Sequence, residues 1–197
     1  MSDTVLSFIL GIIQGLTEFL PISSSAHLLL PSLLFGLNDL GLSFDIAVHA
    51  GTLIAVIYYF RKEIALMFKS FFLSDENLLP HKNLAISLIV ATIPIVLAGL
   101  FVKDFIEQRI FNIEHIAIAN IIFAGILLFA YLKRKDIKNL YSVTLYSALF
   151  VGVFQSLALF PGASRSGTAI TAALLLGFNL KDASKFSFML SIPTIFG

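Results

Sequence analysis

Apolar residues run in long blocks along this chain, and the polar ones gather at a few places. Residues 4–20 are apolar except for Gln14, Thr17 and Glu18, and Pro21 closes the run. Residues 26–35 are also apolar, but they make up only about half of the roughly 20 residues that cross a hydrocarbon core. Two such arms joined by a Pro-Ser turn predict a re-entrant helical hairpin, which is tolerated at membrane depth only when buried in protein. A span over 43–60 carries Asp45 and His49 and ends at Arg61-Lys62. The segment 61–83 reads as a polar loop with a short interfacial helix around 63–73. Further spans are predicted at 84–102, kinked near Pro94, at 113–132, and at 143–160, which stops at Pro161.

The end of the chain repeats its beginning. Gly11-x-x-Gln14 before Leu20-Pro21 matches Gly152-x-x-Gln155 before Phe160-Pro161. Ser23-Ser24-Ser25 matches Ser164-Arg165-Ser166, Gly36-Leu37-Asn38 matches Gly177-Phe178-Asn179, and Phe44-Asp45 matches Phe186-Ser187. The offset stays within 140–142 throughout, so hairpin plus span is an internal repeat.

Basic residues orient the repeat. Residues 1–60 hold no Lys or Arg, loops 61–83 and 133–142 hold four each, 103–112 holds two, and Lys181 and Lys185 follow the second hairpin. Placing 61–83, 133–142 and 178–185 in the cytoplasm puts ten basic residues inside and two outside, as the positive-inside rule favours. The three intervening spans then bring the second copy in from the opposite face, which makes an inverted repeat with a site near the midplane. The expected fold is an all-α polytopic membrane protein of one domain, 1–197. Copy one covers about 5–60, connecting spans about 84–132, and copy two about 146–197. Copy two reads as incomplete, because its span starts near 186 and the sequence stops at Gly197; a truncated C-terminal end is expected.

Composition agrees with a membrane setting. Hydrophobic residues are 58% and charged residues 13% of the 197, against about a quarter charged in a soluble domain. The net charge of +1, with its basic residues in short loops, gives no nucleic-acid footprint. With no cysteine, disulfides, thiolate metal sites and a cysteine nucleophile are excluded. The N-terminus lacks a basic stretch leading to a small-residue cleavage site, so no removable signal peptide is expected.

Two polar clusters stand out against this background. In the first, Gln14 and Glu18 are four apart and share a helix face. A carboxylate at membrane depth is costly and marks function by default. Oxygen ligands from this pair suit Mg²⁺ or Ca²⁺, and the alternative is a protonated Glu18 bonded to a neighbouring helix. Ser23, Ser24 and Ser25 read either as caps of the next helix or as hydroxyls facing a ligand at its N-terminus. His27, one turn on, suits general acid, base or nucleophilic work, or a buried hydrogen bond. In the second cluster, Arg165 stands between Ser164 and Ser166 in an apolar hairpin, and its planar fork matches phosphate. Gly162, Gly167 and the hydroxyls of Ser164, Ser166 and Thr168 would cradle the remaining oxygens. The alternative is a structural Arg165–Glu18 ion pair joining the repeats. Asp45 and His49 support the site from behind or line a polar seam, and His81 and His115 fall at loop or span edges.

These residues resemble a known family. Gln14-x-x-x-Glu18 fits an (E/Q)xxxE motif, and Pro161–Thr168 fits a PGxSRSxxT-type motif at nearly every position. Both are motifs of the undecaprenyl-pyrophosphate phosphatases of the bacitracin-resistance type, and the likeness covers the whole chain. The resemblance implies hydrolysis of undecaprenyl diphosphate to the monophosphate and inorganic phosphate. That recycles the lipid carrier of cell-wall synthesis, with a divalent metal, in the bacterial plasma (inner) membrane. It implies that Glu18 and Gln14 hold the metal, that Arg165 binds phosphate, and that Ser24 and His27 do nucleophilic or acid/base work. Ser25-Ala26 departs from the Thr-Gly common before the histidine, and family members run on well beyond residue 197. The partners implied are a polyprenyl diphosphate and membrane lipid; a homodimer is one assembly this reading allows.

The rivals are a membrane transporter or lipid flippase with a midplane anion site, since broken helices and inverted repeats are transporter traits, and an inactive scaffold. The clustering of Glu, Ser, His and Arg, rather than a polar path across the membrane, favours the enzyme. Access from the outer face is expected, because the metal pair and the candidate nucleophiles sit on the first hairpin.

Overall fold

The computed structural model describes residues 2–107 and 112–196, the side chains of 103–107 excepted. Arg109 of the basic-residue count, and Gly197, the last residue of the expected second copy, lie outside the described residues. Nine α-helices are described: α1 (Asp3–Thr17), α2 (Ser24–Phe35), α3 (Gly41–Tyr59), α4 (Arg61–Lys69), α5 (Leu79–Glu107), α6 (Ile113–Lys133), α7 (Leu145–Ser156), α8 (Arg165–Leu175) and α9 (Leu180–Phe196). Among the described residues there is no strand, only an isolated bridge between Lys138 and Phe178. Helices at 41–59, 76–102 and 113–133 are long and apolar enough to cross a membrane.

The short arms of the two hairpins follow from their sequences. In α1 the buried residues Leu6, Leu10, Gln14 and Thr17 recur every third or fourth position, so one stripe faces protein and the rest faces outward. α8 is different, with every residue from Ser166 to Leu174 buried. Its Gly167, Ala169, Ala172 and Ala173 let α6, α7 and α9 approach closely around it. α5 and α7 cross at Gly152, where a Cβ would lie 2.3 Å from the carbonyl oxygen of Ala91. That approach admits only glycine.

One main core joins α3, α4, α5, α7, α8 and α9 around Phe60, Leu84, Ala91, Val151, Phe186 and Leu190. A smaller one, Leu6, Leu10 and Leu28, ties α1 and α2 to the start of α3. Many large apolar residues face outward, with Phe101 at 88% exposure and Phe8, Phe35 and Ile54 at 70% or above. In water this would be untenable, whereas lipid is the natural solvent for such a surface.

The three basic segments meet on one face. Backbone amides of Ile137 and Lys138 donate to the carbonyl of Gly177 at 3.0 and 2.9 Å, and Asn179 donates back to the carbonyl of Lys138 at 3.1 Å. The rings of His81 and Tyr141 pack edge to face at 5.2 Å. Burial, with Glu63 and Asp182 beside it, raises the Tyr141 hydroxyl above the usual tyrosine range. Segments 61–83, 133–142 and 177–182 are thus neighbours. At the start of α1, Asn38 donates to Asp3 at 3.2 Å and ties the base of the first hairpin together.

Most expected elements are present with moved ends: α9 begins at Leu180 rather than near 186, and α5 runs on to Glu107. The expected span 143–160 is the 12-residue α7 with a 3-10 turn to Leu159, shorter than the helices able to cross a membrane. α5 begins at Leu79, five residues before the expected span, because Asp75 caps the preceding turn through the Asn77 amide at 2.9 Å. Hydropathy does not register that polar first turn. The residues around 63–73 do form a helix, at Arg61–Lys69.

Candidate active site

The tips of the two hairpins touch. Ser166 Oγ donates to the carbonyl of Leu20 at 2.9 Å, Ser164 Oγ lies 3.5 Å from the same oxygen, and the two hydroxyls are 3.1 Å apart. At this junction Glu18, just past the end of α1, meets Arg165, the first residue of α8. The Arg165 guanidinium donates to Glu18 Oε1, and the carboxylate side chain is only 3% exposed.

The other carboxylate oxygen is equally engaged. Oε2 of Glu18 accepts from Gln14 Nε2 at 2.6 Å and from Ser24 Oγ at 2.6 Å, and His49 Nε2 stands 3.5 Å away. Amide, hydroxyl and guanidinium donors thus surround this enclosed acid and satisfy both of its oxygens. Ser24 is held by an acceptor able to take its proton, the arrangement of a nucleophile beside a base.

The serines of the two hairpins are used differently. Ser164 caps α8 through its Oγ, which accepts from the Gly167 amide at 3.1 Å. α2 has no side-chain cap: Ser23 makes none, and the Ser24 hydroxyl points to Glu18 instead. The N-terminus of α2 therefore keeps its free amides and positive dipole end beside the cavity that Ser23, Ser24 and Ser25 line. Ser23 has a left-handed backbone at φ 60°, rare for a residue with a side chain. Its carbonyl oxygen accepts from His27 Nδ1 at 2.8 Å, which holds the turn and leaves the His27 Nε2 without the proton in the neutral ring.

A cavity of about 590 Å³ opens in front of this cluster. Its polar wall is Glu18, Ser23–Ser25, His49, Ser164 and Arg165; its apolar wall is α5 around Ile95–Leu100, with Ala158 and Leu159. A second lobe of about 450 Å³ shares Ser25, His49, Leu159 and Arg165 and extends between α2, α3 and α9 along Leu29, Ile46, Leu53 and Ile195. The combined space has a charged end and a long apolar end.

The structure brings together Gln14, Glu18, Ser24 and Arg165. It places Ser164 in the cavity wall. Gly162, Ser166 and Thr168 do not line that wall. Gly162, at φ 97°, turns the chain tightly against α6, where a Cβ would lie 2.5 Å from the carbonyl of Ile116. Ser166 bonds to Leu20, and Thr168 Oγ1 donates to the carbonyl of Arg165 at 2.9 Å. His27 makes no bond to Glu18 among the described residues, and the imidazole beside Glu18 is that of His49. Its Nδ1 donates to the carbonyl of Asp45 at 2.7 Å, so the ring is fixed with Nε2 toward the acid. The four-residue spacing of Asp45 and His49 was the one signal for it.

For a divalent cation, the donor chemistry fits in one respect: Gln14 is 0% exposed and its Oε1 has no partner, an oxygen without another use, while the amide faces Glu18 with its Nε2 and stands behind the cavity wall. Among the described residues there is no cluster of three or more His, Cys, Asp or Glu side chains around a common point. Oxygens from a bound phosphate would have to complete the shell, as they do for Mg²⁺.

The chain is similar to known proteins over nearly its whole length. A family model described as bacitracin resistance protein BacA matches residues 7–197. The undecaprenyl-diphosphatase of Saccharophagus degradans is 50% identical over 194 residues, covering 98% of this chain and 73% of that protein. Undecaprenyl-diphosphatase 1 of Pseudoalteromonas translucida is 47% identical over 189 residues (95% and 71%). The undecaprenyl-diphosphatase of Aliivibrio salmonicida is 47% identical over 191 residues (96% and 72%).

Proposed function

The chain belongs to the bacitracin resistance protein BacA family, and from that premise we propose that it hydrolyses undecaprenyl diphosphate to undecaprenyl phosphate and inorganic phosphate. It is a membrane enzyme that returns the lipid carrier of cell-wall synthesis to use and so confers bacitracin resistance. The observation that carries the reading at residue level is Glu18, with Ser24 on one carboxylate oxygen and Arg165 on the other, in the wall of a cavity with one charged and one apolar end.

The diphosphate enters the polar end while the isoprenoid chain lies along the apolar walls. Its terminal phosphate takes the Arg165 fork from Glu18 and faces the free amides of α2. Ser24 Oγ attacks the terminal phosphorus as its proton passes to Glu18 Oε2. The bond from that phosphorus to the bridging oxygen breaks, and the electron pair leaves on undecaprenyl phosphate. Water then takes the phosphoryl group from Ser24, Glu18 returns the proton to Oγ, and inorganic phosphate is released. Arg165 and the α2 amides stabilise the oxygens that gain charge in each displacement. His27 holds the Ser23 turn from which Ser24 projects. Mg²⁺ or Ca²⁺, held by the Glu18 carboxylate and the Gln14 amide oxygen, would neutralise phosphate charge when bound.

The architecture behind this site is an inverted repeat in the bacterial plasma membrane. Helices α1–α3 and α7–α9 follow one another at the offset read from the sequence, and the three basic segments share one face, which we assign to the cytoplasm. The test is phosphate release from undecaprenyl diphosphate by the purified protein in detergent, with Mg²⁺, with chelator, and with Glu18→Ala. Release that needs both the metal and Glu18 is expected. Movement of the lipid without release would make the protein a transporter instead.

A further inference from the structure

A second cavity, of about 530 Å³, lies in the half of the molecule next to the basic face and shares no lining residue with the catalytic one. It is a slot between the end of α3 and the start of α9. Its interior is apolar, made by Val56, Phe60 and Phe188 together with Phe19 from the first hairpin. Its rim carries Lys181, Ser184 and Lys185, which fall on one face of α9 at helical spacing. Neither lysine meets a carboxylate within salt-bridge distance among the described residues. The neighbouring acid, Asp182, is turned away, accepting from Asn179 at 2.8 Å on the side of Tyr141. Tyr59, 71% exposed, stands at the same level, immediately before Arg61 and Lys62, where interfacial aromatic residues belong.

Two unpaired ammonium groups and a hydroxyl over an apolar slot, at the depth of a headgroup, match an amphiphile with a phosphate head and a hydrocarbon tail. We propose that this slot binds one anionic glycerophospholipid of the cytoplasmic leaflet. Its phosphate rests on Lys181, Lys185 and Ser184, and one acyl chain packs against Val56, Phe188 and Phe19. Phe19 links this slot to the active site. Phe19 and Phe188 pack edge to face at 5.4 Å, and Phe19 directly follows Glu18 in the chain. An acyl chain seated on Phe19 steadies the turn that aims Glu18, so phosphatase activity rises when the slot is filled. The binding claim stands on its own, and the effect on activity rests on the phosphatase reading above.

Native mass spectrometry of the full chain in detergent decides the binding, using dioleoyl phosphatidylglycerol and dioleoyl phosphatidylcholine as probes. One phosphatidylglycerol should remain bound in the wild type. Its affinity should be about 25-fold weaker in K181Q/K185Q, from two lysines each worth about fivefold near an anionic headgroup. The variant K133Q/K135Q, with the same charge removed from another basic segment, should bind as the wild type does. Equal retention of phosphatidylcholine, no retained lipid, or unchanged binding in K181Q/K185Q would overturn the site. Undecaprenyl phosphate displacing phosphatidylglycerol from the slot at equal concentration would overturn the assignment to a glycerophospholipid. Phosphate release in vesicles then tests the coupling. Phosphatidylglycerol should stimulate the wild type and leave K181Q/K185Q at the rate seen in phosphatidylcholine, and equal stimulation of both would remove the coupling. Wild type inactive in both vesicles would count against the phosphatase reading, while the mass spectra would still decide the lipid site.

Discussion

Glu18 and Arg165 lie 147 residues apart in the chain and form an ion pair where two hairpin tips meet. The pair joins the halves of the molecule and also holds the site in its resting state, because the fork that grips the carboxylate is the one that fits a phosphate. Arg165→Lys keeps the charge and loses the fork. Phosphate release should fall about 10²–10³-fold, the range for removing a transition-state donor. Near-native turnover would show that Arg165 is structural only.

Removing the charge altogether separates the two roles of the pair. Arg165→Ala leaves the enclosed Glu18 carboxylate without its cation, and losing one partner of a buried pair costs about 3–5 kcal/mol. Thermal unfolding in detergent should move down in Arg165→Ala and much less in the double variant Glu18→Gln/Arg165→Ala, in which no charge is stranded. Equal losses in both would mean that the pair carries little of the hairpin contact.

Ser24 and Ser166 make opposite predictions although both are hairpin serines. Ser24→Ala removes the group that Glu18 holds and leaves Gln14 as a donor to the same oxygen. Turnover should collapse while the unfolding temperature stays within a degree or two of wild type, roughly the effect of less than 0.5 kcal/mol. Ser166→Ala removes a hydroxyl that bonds across to Leu20. It should lower stability by about 1 kcal/mol with turnover per folded molecule preserved. Phosphate-release kinetics together with unfolding curves distinguish the two, and a kinetic defect confined to Ser166→Ala would place that hydroxyl on substrate.

Charged residues in an apolar chain are few, so the meeting of Glu18 with Arg165 was legible before any coordinates. Membrane depth leaves such groups little choice of partner. The bond from Ser24 to Glu18 was not legible, because a hydroxyl at a helix start can accept from the first-turn amides or donate to a nearby carboxylate, and only the angle between the arms decides between them. The sequence leaves His49 between supporting the site and lining a polar seam, since its distance to Glu18, 3.5 Å, depends on how α3 crosses the hairpin. The early start of α5 was hidden by the polar residues His81, Lys82 and Asn83 in its first turns. The slot behind Phe19 left no motif at all, for it is built from the backs of residues whose fronts belong to the core.

The Gln14 amide provides the most direct test of the metal. Its Oε1 is enclosed and unpartnered, while its Nε2 steadies Glu18. Gln14→Leu removes both groups at similar volume and relieves an orphaned buried acceptor, so stability should hold or rise slightly. If a divalent cation uses that oxygen, the Mg²⁺ concentration for half-maximal phosphate release should increase several-fold, about 1–2 kcal/mol of lost binding for one oxygen ligand. Gln14→Glu should shift it the other way, because a second carboxylate binds a hard cation more tightly. An unchanged Mg²⁺ dependence in both variants would remove Gln14 from the metal and leave it as a brace for the carboxylate.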